Sequence, residues 1–286
     1  MAQQAQRVSD GLSLLLVPLQ LRDEAAVNGL SLKESGHGVD DRARLRRLSR
    51  RRLLVTGAAA AWTFVFDRAA PATTHTIQLI CERAWGARRH TGGFVRQKVH
   101  RITIHHSGVV LRENRRAPAT LRAEQRFHQS QGWPDIAYHL IIDRHGNVYR
   151  GRPPWAKGNT FTDYDPRGHL LVMCLGNFEE QKPTKAMLAA LVDVCAWGCK
   201  RFDVPPSRIH GHRDFASTAC PGRHLYALIQ DGSIGRRVKL RLAAGIKHER
   251  LCGRAGRRRV AAIEQGKDQR PGGKGIEVEP QPAYLA

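Results

Sequence analysis

The sequence predicts an α/β domain with a mixed central β-sheet flanked by helices, and three observations support this fold class. Strand-like and helix-like segments alternate between residues 75 and 235. The segment HLLVMCLGNF at 169–178 is almost continuously apolar, which is typical of a strand buried on both faces. The tetrapeptide RHGN at 144–147 lies between two strand-like runs and predicts a hairpin. Interleaved strands and helices are characteristic of the α/β class.

The first elements along the chain are a strand, a helix and the hairpin. The segment 99–108, VHRITIHHSG, is rich in β-forming residues and ends in a turn signal, so it predicts a strand. The segment 117–132 predicts a helix, because Leu121 and Gln125 are one helical turn apart. The segment 136–151 supplies the two strands of the hairpin.

The later elements are the apolar strand within 169–178 and a second helix within 183–202, PTKAMLAALVDVCAWGCKRF. Thr184 is the predicted N-cap of this helix, since its hydroxyl can accept a hydrogen bond from a free backbone N–H group. Helical spacing places five side chains on one apolar stripe: Met187, Leu188, Leu191, Val192 and Cys195.

Changes in composition predict four regions. Residues 73–235 form the single folded domain, and residues 236–286 form a basic, largely disordered tail whose first half can be one basic helix. Residues 49–72 are a targeting signal, and residues 1–48 are a disordered or helical extension without a recognisable motif. A targeting signal normally lies at the start of a chain. One explanation for residues 1–48 is that translation starts downstream of them, so that they are never synthesised.

The targeting signal has three parts in the expected order. The paired Arg50 and Arg51 precede a fourteen-residue apolar run at 53–66, and the small-residue site Ala-Pro-Ala follows at 70–72. This order predicts export by a twin-arginine-type signal to the periplasm, the cell envelope or the extracellular space. The alternative is an amphipathic helix with a basic start. The run is too short for a membrane anchor, so the mature form should have no membrane-spanning segment.

The net charge of +22 favours anionic partners. Neither terminal region carries a nucleic-acid motif, and an exported protein would not meet nucleic acid, so this partner class is disfavoured. The basic tail is expected to contact anionic wall polymers or lipid headgroups. The six cysteines include no CxxC pair and are too few for a disulfide scaffold.

A candidate metal site combines a strand end with a loop. His105 and His106 end the strand within 99–108, and strand alternation sends them to opposite faces. The loop IHGHRDFASTACPG at 209–222 contains His212 and Cys220. One strand histidine with these two residues makes a three-ligand zinc set that leaves a fourth position for water. Alternatively, the loop's polar side chains only satisfy its own backbone, and the spacing alone leaves both alternatives open.

Five motifs together resemble a known family. They are WGAR at 85–88, ITIHHSG, FHQSQGWPDIAYHLIIDRHGNVYRGR, CLGNF and the loop motif IHGHRDFASTACPG. In this order they are similar to the type-2 N-acetylmuramoyl-L-alanine amidases and peptidoglycan recognition proteins, over residues 76–231. The resemblance implies one catalytic domain. It also implies a Zn²⁺ ion bound by His105, His212 and Cys220, with Tyr138 and Thr218 as catalytic residues.

The implied activity is hydrolysis of the amide between N-acetylmuramic acid and L-alanine in peptidoglycan stem peptides. The alternative is a non-catalytic module that binds peptidoglycan or muropeptides. Members of the family that only bind commonly lack the cysteine ligand, so the presence of Cys220 favours the enzyme. No feature of the sequence identifies the acid that protonates the leaving amine.

Other polar and aromatic residues have structural explanations. His106, His139 and His210 are expected to be packing residues, and Cys195 and Cys199 core thiols or a local disulfide. Trp133 and Trp155 fit either a substrate groove or the core. The segment before the strand at 169–178 departs from the family pattern: it lacks the usual Gly-Ala-His, and His169 replaces a small residue.

Overall fold

The computed structural model of the protein describes residues 74–268. The expected extension at 1–48, the targeting signal at 49–72 and the last part of the tail at 269–286 lie outside the described residues. Within 74–268, no helix is long and apolar enough to cross a membrane.

Seven strands and five α-helices form the described fold. The strands are β1 His75–Ile80, β2 Arg101–His106, β3 Leu140–Ile142, β4 Val148–Arg150, β5 His169–Cys174, β6 Ile209–Gly211 and β7 Ile246–Leu251. The helices are α1 Ala117–Ser130, α2 Lys185–Phe202, α3 Arg223–Gln230, α4 Ser233–Ala244 and α5 Gly253–Glu264.

The strands form one mixed sheet in the order β6-β2-β5-β3-β4-β1-β7. Every neighbouring pair is parallel except the β3–β4 hairpin, which is antiparallel. Gly146 in this hairpin has a positive φ of 79°. A Cβ atom there would lie 2.7 Å from the carbonyl oxygen of Ala186, so both the backbone and the space require glycine. The predicted fold class is confirmed.

Helices cover both faces of the sheet. Strand β5 is buried along its whole length, and its alternate residues enter two separate clusters. Leu170 and Val172 pack with α2, α3 and α4, whereas Met173 packs with Leu121 of α1 and Ile263 of α5. Burial on both faces explains why the β5 sequence is apolar without alternation.

Helix α2 begins where the sequence predicts. Thr184 is its N-cap, and its hydroxyl oxygen accepts a 3.1 Å hydrogen bond from the backbone N–H of Met187. Cys195 and Cys199 are buried free thiols, so they belong to the core and do not form a local disulfide.

The expected domain boundary at residue 235 and the disordered tail from 236 are wrong for the chain up to residue 268. Residues 236–264 form most of α4, then β7 and α5, and β7 pairs with β1 along all six residues. Most of β7 is exposed because it is an edge strand, and only Ile246 is fully buried. Its charged residues therefore stay in solvent while its backbone completes the sheet.

Two further links hold this C-terminal segment to the domain. A disulfide joins Cys81, just after β1, to Cys252, just after β7. Buried Asp268 accepts a 2.8 Å hydrogen bond from the side-chain amide of Asn147, which also donates to buried Asp143. The segment that follows α5 is thereby tied to the β3–β4 hairpin.

Candidate active site and metal centre

The candidate site lies where parallel strands β2 and β6 end. Ile102 and Ile104 of β2 pack in the cluster with α2, so His105 points to the opposite face, which carries α1. His106 points away from it, and its Nδ1 accepts a 3.2 Å hydrogen bond from the backbone N–H of Phe178. The structure therefore places His105 in the site and gives His106 a packing role.

The loop after β6 supplies the other two residues of the predicted set. His212 begins a 3-10 turn directly after β6, and the carboxylate of Asp214 accepts a 2.7 Å hydrogen bond from the N–H of Gly211. The N–H of Arg213 donates to the carbonyl oxygen of Cys220 at 3.0 Å. These bonds fold the loop back on itself, so that His212 and Cys220 approach each other despite their eight-residue separation.

The three predicted ligands converge. One potential ligand atom from each of His105, His212 and Cys220 lies within 4.8 Å of the others. The Sγ atom of Cys220 is 3.6 Å from Nδ1 of His105, and the two imidazole ring centres are 4.5 Å apart. Among residues 74–268, no other group of three histidine, cysteine or acidic side chains meets this condition.

The electrostatics of this cluster suit a cation. Burial lowers the pKa of His105 well below its usual value and that of His212 to about 4, so both imidazoles are neutral near pH 7. Burial raises the pKa of the Cys220 thiol to about 12. Nε2 of His105 is buried without a hydrogen-bond partner in the described chain. Two neutral imidazoles and a thiol that a nearby cation would deprotonate fit a Zn²⁺ ion.

Thr162 fixes the orientation of His212. Its hydroxyl lies 2.7 Å from Nε2 of His212, which leaves the other ring nitrogen, Nδ1, free to bind a metal. Sequence reasoning missed Thr162, because it lies fifty residues before His212 in a loop without a motif. Only the tertiary contact reveals it.

Tyr138 and Thr218 line the same cavity, whose volume is about 330 Å³. The ring of Tyr138 is centred 5.3 Å from that of His105, and burial raises its pKa well above the usual value, so its hydroxyl stays protonated. The hydroxyl oxygen of Thr218 accepts a 3.2 Å hydrogen bond from the N–H of Cys220. Both hydroxyl groups can therefore donate a hydrogen bond near the cluster.

Aromatic side chains form one wall of the cavity. Trp133 stacks on Phe161 with ring centres 4.2 Å apart, and Phe127 lies beside them. Phe127 is 53% exposed and Phe161 is 61% exposed, so this wall is open to a ligand. Trp155 does not line this cavity and packs against Phe94 instead. Of the two tryptophans considered from the sequence, only Trp133 belongs to the groove.

Other histidines have structural roles. The Nδ1 atom of buried His139 accepts a 2.8 Å hydrogen bond from the N–H of Leu171. The Nδ1 atom of His169 lies 2.8 Å from the hydroxyl of Thr103 in the neighbouring strand. A histidine at position 169, where the family more often has a small residue, is therefore accommodated inside the domain.

Glu124 is a cavity residue that sequence reasoning missed. It lies on α1, and its side chain is only 16% exposed. Burial raises its pKa to about 7, whereas an exposed glutamate titrates near 4.5. The sequence offers one indication of its position, since Glu124 and His128 are four residues apart on the same helix. This spacing predicts a shared helix face but not burial in a cavity.

Comparisons with known proteins identify the family. A family model described as N-acetylmuramoyl-L-alanine amidase matches residues 95–223. Peptidoglycan-recognition protein SD of Drosophila simulans is 30% identical over 159 residues, which cover 54% of this chain and 85% of that protein. The N-acetylmuramoyl-L-alanine amidase of Sus scrofa is 32% identical over 155 residues, or 51% of this chain and 26% of that protein.

The similarity extends to the fold. The crystal structure of drosophila peptidoglycan recognition protein SD superposes with a TM-score of 0.50 at 30% identity, covering 54% of this chain and 94% of that one. The predicted family resemblance is thus confirmed by sequence and by structure. The chain belongs to the N-acetylmuramoyl-L-alanine amidase and peptidoglycan recognition protein family.

Proposed function

We propose that the protein is a zinc hydrolase that cleaves the amide between N-acetylmuramic acid and L-alanine in peptidoglycan stem peptides. The observation that carries this proposal is the convergence of His105, His212 and Cys220 beside an open cavity. The family relationship supplies the substrate class, because the relatives are named for amidase activity and peptidoglycan recognition.

His105, His212 and Cys220 would hold the metal, and Thr162 would keep His212 in the binding orientation. A bound Zn²⁺ ion lowers the pKa of a water ligand to about 7 and polarises a carbonyl group. The side chains of the protein then orient the substrate and stabilise charge. The aromatic wall, Phe127, Trp133 and Phe161, would pack against the apolar parts of the muropeptide.

Tyr138 would donate a hydrogen bond to the oxygen atom that gains negative charge as the scissile carbonyl is attacked. Its raised pKa keeps the proton on the phenol at neutral pH. Thr218 would supply a second donor, since its oxygen already accepts a bond from Cys220 and its hydrogen can turn toward the cavity. Loss of one such donor typically lowers the rate by about 10²–10³-fold.

The second candidate is a module that binds muropeptides without cleaving them, as the names of the recognition-protein relatives suggest. Metal analysis of the full-length protein, with a peptidoglycan-release assay, separates the two. We expect about one zinc per chain. A chelator should stop the release of stem peptides, and added zinc should restore it. Muropeptide binding by the zinc-loaded protein without release would instead support the binding module.

Export remains part of the proposal. Replacing Arg50 and Arg51 with lysine should leave full-length precursor in the cytoplasm, because a twin-arginine signal is read as an arginine pair. Fractionation of producing cells and immunoblotting would measure this. A processed form outside the cytoplasm at the wild-type level would contradict the twin-arginine assignment.

A further inference from the structure

Glu124 occupies a position in the cavity that the fold does not explain. Its side chain projects from α1 into the same cavity as Tyr138, His212 and Cys220. A carboxyl group that is 84% shielded from water loses most of its hydration, and this cost is usually offset by an arginine or lysine partner.

Within residues 74–268, no arginine or lysine forms an ion pair with Glu124. Among the described residues, its one ion-pair contact is with Nε2 of His128, at 3.8 Å. Nδ1 of His128 accepts a hydrogen bond from the N–H of Ala137, so the ring's proton is on Nε2. Burial lowers the pKa of His128 to about 4, so this ring is neutral near pH 7 and contributes no charge.

Glu124 is the only acidic side chain among the described residues that line the cavity. The Tyr138 hydroxyl in the same cavity stays protonated near pH 7, because burial raises its pKa well above its usual value. Burial raises the pKa of Glu124 to about 7, so this carboxyl group can hold and release a proton at neutral pH.

We propose that Glu124 is the general acid that protonates the leaving amine of the stem peptide. This assignment rests on the proposed amidase function. As the C–N bond breaks, the carboxylic acid of Glu124 donates its proton to the nitrogen of L-alanine, which leaves as a neutral amine. The water that adds its oxygen to the acyl carbon releases a proton, and this proton restores the acid. One water is consumed, and the products are a carboxylic acid and an amine.

The test compares two substrates that differ in their need for a proton. The natural amide needs a protonated leaving nitrogen, whereas a p-nitrophenyl ester of the same lactyl carboxyl group releases a stable phenolate. In the full-length zinc-loaded protein, Glu124→Gln should lower kcat/KM for the amide by about 10²–10³-fold. The same change should lower ester hydrolysis by less than about tenfold, because this leaving group departs without an acid.

A matched control is Glu113→Gln. Glu113 is an exposed glutamate that pairs with Arg115 and does not line the cavity. This variant should retain wild-type rates on both substrates. Glu124→Asp keeps a carboxyl group and should hydrolyse the amide faster than Glu124→Gln does. Circular dichroism and zinc content would be measured for each variant. If Glu124→Gln fails to fold, Glu124→Asn would be compared with Glu124→Asp instead.

If Glu124→Gln lowers amide and ester hydrolysis by the same factor, Glu124 has a packing role and the assignment is overturned. Equal rates of amide hydrolysis in Glu124→Asp and Glu124→Gln would overturn it for the same reason. Wild-type rates in Glu124→Gln would overturn it as well. If the zinc-loaded wild-type protein releases no stem peptide, the proposed function itself is wrong, and the role of Glu124 with it. If the wild-type protein is active and Glu124→Gln is equally active, only the role of Glu124 is wrong, and the proposed amidase function stands.

Discussion

Replacing Cys220 with alanine is expected to abolish hydrolysis while the domain stays folded. The thiol is the only sulfur atom in the predicted ligand set, and without it two neutral imidazoles would have to hold a dication. A metal contributes several kcal/mol to transition-state stabilisation, so its loss should lower the rate by at least about 10³-fold. Zinc content and stem-peptide release, measured on the same sample, would check this result.

Muropeptide binding should survive in the Cys220→Ala variant, because the aromatic wall and Tyr138 do not depend on the sulfur. The matched control is Cys199→Ala, which removes a buried free thiol on α2, away from the cavity. It should cost stability but leave zinc content and specific activity unchanged. Wild-type turnover by a zinc-free Cys220→Ala protein would remove the metal assignment.

Truncation after residue 235 is expected to unfold the domain. It deletes β7, which pairs with β1 along six residues, and breaks the Cys81–Cys252 disulfide. It also removes α5 and the buried Asp268 from their packing partners. A disulfide alone contributes about 2–4 kcal/mol, and a whole domain has only about 5–15 kcal/mol of stability. Thermal melting followed by circular dichroism should show no cooperative transition.

Deletion of residues 269–286 is the matched control, because it keeps every described contact of the C-terminal segment. This shorter chain should melt at the same temperature as the full-length protein and keep its specific activity. A cooperative transition near the wild-type temperature in the 235 truncation would mean that β7 and α5 are dispensable for folding.

The fold class and most of the central elements follow from patterns in the sequence. Strand β5 was predictable because a strand buried on both faces must be apolar throughout, and α2 because its N-cap and apolar stripe are local features. Two of the motifs that carry the family resemblance end strand β2 and form the loop after β6, so local sequence fixes which residues they contribute. They predicted all three residues of the His105, His212 and Cys220 cluster.

The C-terminal segment was mispredicted from the sequence for a physical reason. An edge strand buries little side-chain surface, so the sequence of β7 needs no apolar alternation and resembles a solvated basic tail. Its stability comes from backbone pairing with β1 and from the Cys81–Cys252 link, which joins residues 171 positions apart. No local pattern encodes either contact.

Which side chains share the cavity depends on tertiary packing. Strand alternation leaves either His105 or His106 as the inward residue, and the packing of Ile102 and Ile104 against α2 selects His105. Thr162 and Glu124 enter the site from a loop and a helix that carry no motif at those positions. Their chemistry follows from burial and from neighbours distant in sequence, and these exist only once the sheet and α1 have packed together.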